Sequence, residues 1–183
     1  MVVCLFMGLP PWVESPKDCM LIARRQGLWG TICPMDSLLQ AWDIHHRTLL
    51  LVLKELSPEQ LSAKLSKGKA VWAQFSHIPS VRGMWLKASA PDLHVGFEKT
   101  SEPASLEELQ EKLNDSNMRI RSLLERGLTE GRIKGFKPTP EAFLCYLISH
   151  ESNHRAQADY TLRLSGMPWS DKASYGIWEW GVR

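Results

Sequence analysis

The sequence has no long apolar run, no excess of one charge, no cysteines at metal-binding or redox spacing, and no strand-like alternation. Each absence removes a class of protein. A membrane-spanning helix needs about 18 or more successive apolar residues, and no such run occurs among the 183 residues. The apolar start, Met1 to Leu9, lacks a basic flank and meets Pro10-Pro11 at once, so it is not read as a secretory signal. Lys and Arg total 22 against 20 Asp and Glu, a net charge of +2, and the basic residues are scattered. That balance gives no reason to expect a nucleic acid or a membrane surface as partner. Cys4, Cys19, Cys33 and Cys145 form no C-x-x-C and no zinc-finger spacing with histidine. A reduced, cytoplasmic setting is the simplest expectation. Cys145, alone on an apolar helical pattern, reads as a small buried residue rather than a nucleophile.

What is present is helical periodicity, and it starts abruptly. Residues 1–34 hold four of the eleven prolines and three of the four cysteines. They are expected to form an irregular extension, either poorly ordered or an arm lying across the fold, with the functional domain spanning 35–183. Helix A is predicted from Asp36, its cap, to about Leu56, with Leu38, Leu39, Trp42, His46, Leu49, Leu50 and Leu53 as its apolar stripe. Ser57-Pro58-Glu59-Gln60 reads as a capping box with proline at the first helical position, opening a short turn to about Leu65. Helix B is predicted over Ala70 to Ala88, with an inner face of Val71, Phe75, Ile78, Val81 and Trp85. Pro79 inside it predicts a bend just after His77. A long loop over 90–104 follows, where His94 is expected to be exposed. Ser105 then caps helix C, which runs to about Glu130, and Thr139 caps helix D, which runs to about Leu164 before Gly166 and Pro168. The result is an all-α fold, a four-helix up-and-down bundle. Most of the eight tryptophans are expected to serve packing.

Helix D carries His150-Glu151-Ser152-Asn153-His154. Residues four apart lie about 40° around the axis and roughly 6 Å along it, so two imidazoles can converge on one ion. Both fall on the stripe Phe143, Leu147, His150, His154, Ala158, Leu162, which aims them inward, where unpartnered imidazoles are costly. The alternative is a pair of packed or solvated histidines. The letters also fit H-E-x-x-H, but zincins place that helix under a sheet with the third ligand downstream. No histidine follows His154, so the protease reading is set aside.

His77 is the candidate third ligand, and the residues around it carry that choice. Phe75-Ser76-His77-Ile78-Pro79, followed by Trp85-Leu86, resembles the second-helix segment of the DinB (damage-inducible) family. His150-x-x-x-His154-Arg155-x-Gln157 is similar to that family's fourth-helix signature, with Ala156 where glycine is frequent. The resemblance runs from about Met35 to Pro168. It implies a DinB/YfiT-like four-helix bundle with a divalent metal on His77, His150 and His154, often dimeric, with thiol-cofactor transferase or isomerase chemistry in some members.

Three nitrogen ligands leave a coordination position open, and the set does not choose among Zn, Ni, Fe and Mn. The expected function is therefore that of a metal-dependent hydrolase or thiol S-transferase acting on a small-molecule substrate, with a low-molecular-weight thiol as a candidate cofactor. The alternative is a non-enzymatic stress-response protein with a structural or regulatory metal. Glu151 is a weak catalytic candidate as a proton shuttle, its stripe position favouring a solvated side chain. Arg155 is the other weak candidate, as an anchor for an anionic substrate or a salt-bridge partner. One of His45 and His46 is expected to face the core, with His46 as a fourth ligand or supporting group, and Gln157 is a candidate brace for a ligand.

Overall fold

A computed structural model describes residues 34–98 and 105–182. The readings for 1–33 and 99–104, including Cys4, Cys19 and Cys33, fall outside the described residues. The fold is all-α. Its long helices are α1 (Pro34–Lys54), α3 (Val71–Ser89), α5 (Leu106–Glu130) and α6 (Pro140–Leu164). Among the described residues there are also shorter helices α2 (Pro58–Ser62), α4 (Pro91–His94) and α7 (Asp171–Gly176) and a 3-10 turn (Trp180–Val182). No helix among the described residues is long and apolar enough to cross a membrane.

Local chemistry sets most of these boundaries. Ser57 and Gln60 form the reciprocal capping box, which satisfies two of the amide groups that a helix start leaves without partners. The Ser105 and Thr139 side chains accept the Glu108 and Ala142 N–H groups at the starts of α5 and α6. Asp36 is not a cap: α1 starts at Pro34 and places Asp36 in its first turn, where a carboxylate favours the helix dipole. Pro79 lies buried inside an unbroken α3, because packing on both sides holds the helix although Pro79 offers no N–H to the carbonyl four residues back. The stretch read as loop from 90 contains α4, and the tail folds into α7, which packs on α1.

Helix α1 packs on α5 and α6, and α3 packs on the same two helices, so α1 and α3 lie on opposite sides of that pair. Two apolar clusters fill the bundle. One joins Leu49 to Leu56, Val71 to Ile78, Leu109, Leu113, Ala158 and Leu162; the other joins Leu39, Trp42, Leu86, Ile120, Leu124, Phe143 and Leu147. The clusters show the helix directions. Helices α1 and α6 run one way, and α3 and α5 run the other, giving up, down, down, up and not the alternating up-and-down order expected from the sequence. Parallel α3 and α5 cannot be joined by a tight turn, which explains the long connection between them.

Between the two clusters lies a buried polar layer of His45, Thr48, Arg82, Ser116 and Glu151. Cys145 is exposed, not buried. It sits two residues past Phe143, about 200° around the helix from the inward stripe. Of the tryptophans described, Trp42 and Trp169 are buried, whereas Trp178 is 75% exposed.

The return from α5 to α6 depends on close approach. Gly131 adopts φ 72°, and its N–H and that of Arg132 both reach the Gly127 carbonyl. A methyl on Gly127 would overlap buried Ile133 Cδ1 and lie 3.2 Å from the Arg132 carbonyl oxygen. Overpacking costs about 1–3 kcal/mol, against roughly 1 kcal/mol gained in helix propensity over glycine. Gly127→Ala is therefore expected to lower stability by about 1 kcal/mol, measured as a lower urea midpoint at unchanged slope.

Candidate metal centre

The turn geometry of α6 stacks His150 and His154 on one side, and α3 faces them with His77. One ring nitrogen from each lies within 4.8 Å of the others. The ring centroids are 4.6 Å apart for His77–His154, 4.6 Å for His150–His154 and 5.5 Å for His77–His150. The three histidines can hold a metal ion. The Nε2 atoms of His150 and His154 are 3.2 Å apart. Two nitrogens each about 2.0–2.1 Å from a tetrahedral zinc would be separated by about 3.3 Å.

The protonation pattern suits a ligand set. His154 Nδ1 lies 2.8 Å from Gln74 Oε1. That oxygen only accepts, so Nδ1 carries the proton and Nε2 keeps its lone pair. Burial pushes the His154 pKa down to about 4, with the charges of His150, His77 and Lys69 adding to the effect. Burial also lowers His77, followed by His150 and Lys69, and burial lowers His150. All three rings are thus neutral at pH 7, the form that binds metal. His150 Nδ1 is buried without a hydrogen-bond partner. Among the described residues no carboxylate or cysteine joins the three rings, so the donor set is all nitrogen and leaves room for an exogenous ligand.

The neighbours expected from sequence fall differently. Glu151, read as solvated, is 1% exposed. Its carboxylate accepts from Arg82 Nε and Nη2, both at 2.7 Å, and lies 2.9 Å from His45 Nε2. Burial raises its pKa, but the Arg82 charge and the His45 and Arg82 hydrogen bonds outweigh this and hold it at about 2. Residues 150 and 151 point to different sides of α6, so Glu151 faces the bundle centre while His150 faces the metal-ligand cluster. Arg82 also donates to the Leu113 carbonyl and Ser116 Oγ, each at 3.1 Å, and its guanidinium lies 4.8 Å from the centre of the Trp42 ring. These contacts tie all four long helices together.

His46 is buried and its Nε2 lies 2.9 Å from Asn114 Oδ1 on α5; it is outside the three-histidine cluster. Burial, then the Arg82 charge, lowers its pKa to about 4. His45 does face the core, but it meets Glu151 rather than the three rings. Arg155 is half-buried and donates to Thr48 Oγ1 at 3.1 Å, joining α6 to α1. His94 is half-buried against Phe97. Gln157 is exposed, and the brace on a ligand is Gln74. Gln74 stands three residues before His77 on α3, a spacing that puts both on one face. That spacing is legible in the sequence, though it does not identify the partner.

A cleft of about 640 Å³ opens beside the cluster and includes His154, Gln74 and Gln157 in its wall.

Among solved structures, a DinB-like protein from Bacillus cereus matches with a TM-score of 0.54 at 20% identity, over 73% of this chain and 93% of that one. At that identity the likeness speaks to the fold. No curated protein matches the chain. A model of the DinB family matches residues 31–176, a span that takes in every long helix and all three clustered histidines, and the chain belongs to the DinB family.

Proposed function

We propose that the protein is a metal-dependent enzyme, a thiol S-transferase or hydrolase acting on a small molecule, with one divalent ion on His77, His150 and His154. The observation that carries this reading is the convergence of three neutral imidazoles, with no further protein donor among the described residues, beside an open cleft. A structural or regulatory metal would call for a closed set of donors, and His46, the residue suited to close it, bonds Asn114 instead. A divalent ion held there would supply Lewis acidity, which acidifies a water or a thiol. The protein's own contribution is to prepare the donors. Gln74 fixes the proton of His154 on Nδ1. Burial keeps the three rings neutral. The Arg82–Glu151 pair sets α6 against α3, so that the rings from the two helices stay together.

The test is thermal unfolding of chelator-stripped protein with and without added zinc or nickel. At a free metal concentration of about 100 times Kd, binding adds about 2.7 kcal/mol, which for a chain of this length raises Tm by roughly 5–10 °C. An unchanged Tm, together with no metal in the purified protein by elemental analysis, would overturn the reading.

A further inference from the structure

The loop between α2 and α3 carries Lys67 and Lys69 to the rim of the cleft that His154 lines. Both side chains are exposed and enter no ion pair among the described residues. Among the described residues the cleft lining contains these two lysines and no carboxylate, so its net charge is positive. Gln74 adds a polar end. It is 5% exposed, its Oε1 is committed to His154, and its Nε2 donates no hydrogen bond to the described protein. Leu65, Ala156 and the Tyr160 ring, which is 61% exposed, give the cleft apolar lining as well. The volume, about 640 Å³, is that of a small-molecule site.

We propose that this cleft binds a small molecule carrying an anionic group, held by Lys67 and Lys69, with a metal-seeking donor atom at its other end directed to the three histidines. The proposal rests on the metal-centre reading and adds the charge and polarity of the ligand. Two ammonium groups facing one anion in a partly desolvated cleft favour it over a neutral analogue of the same size. The apolar lining accommodates the chain between head and donor.

The experiment uses the full chain loaded with cobalt(II), titrated with 3-mercaptopropionate and with 3-mercaptopropionamide. The two share a thiol donor and a length and differ in charge. The sulfur-to-cobalt charge-transfer band reports binding. The anionic thiol is expected to half-saturate the band at about tenfold lower concentration, and the advantage should shrink in high salt. In the Lys67→Ala/Lys69→Ala variant the advantage should fall below about twofold, with cobalt content and the affinity for the amide unchanged. Equal affinities in the cobalt-loaded wild type would overturn the anion site alone. Failure to take up cobalt would overturn the metal centre itself, and this proposal with it.

Discussion

His154→Ala is expected to weaken metal binding by more than about 100-fold, so that protein carrying about one equivalent as purified retains almost none after dialysis. Altering a group that merely orients a ligand costs 10–100-fold, and His154 is more than that. It is the most buried of the three rings, the one braced by Gln74, and it lies 3.2 Å, nitrogen to nitrogen, from His150. His77→Ala should match it, since it removes the only donor from α3. Gln74→Ala should fall between, within about 10–100-fold, because it frees the tautomer without deleting a ligand. His46→Ala should leave affinity unchanged. Competition against a chelator of known affinity, with elemental analysis, separates these cases. A His154→Ala protein that keeps its metal would remove the three-histidine centre from consideration.

Glu151→Ala is expected to destabilise the fold by about 3–5 kcal/mol, the cost of breaking a buried ion pair from one side. Arg82 is 0% exposed and would keep only the Leu113 carbonyl, Ser116 and the Trp42 face. The loss should appear as a Tm lower by roughly 10–15 °C. The double variant Arg82→Met/Glu151→Leu should recover much of the stability, because apolar residues of similar volume remove both charges together. Urea unfolding of the three proteins checks the order. A loss under about 1 kcal/mol in Glu151→Ala would mean that water reaches the pair and that it does not anchor α6 to α3.

Much of the architecture was written locally. The α5 and α6 starts follow from Ser105 and Thr139, whose side chains need only the next turn to find their partners. The stripe Phe143, Leu147, Ala158, Leu162 is fully buried as its period requires. His150 and His154 share one helix, so their convergence is a property of helical geometry. Local pattern is silent where a residue's partners are distant in sequence. Glu151 read as solvated because its partner, Arg82, is 69 positions away. Cys145 is exposed because it lies off the stripe through Phe143 and Leu147, which outweighs its apolar neighbourhood. The bracing role of Gln74 is not visible locally, because His154 is 80 residues downstream.

The sequence alone therefore determined that four long amphipathic helices form, where most of them begin and end, and that one of them presents paired imidazoles at metal-binding spacing. Capping, turn residues and the 3.6-residue period act within a few residues, so they can be read from the chain. The tertiary structure alone decided the up, down, down, up arrangement, the arrival of His77 opposite that pair, the use of Gln74 to fix a tautomer, and the burial of Glu151 with Arg82. Those outcomes depend on which helix faces are brought together when apolar surface is buried, and no local pattern encodes that choice.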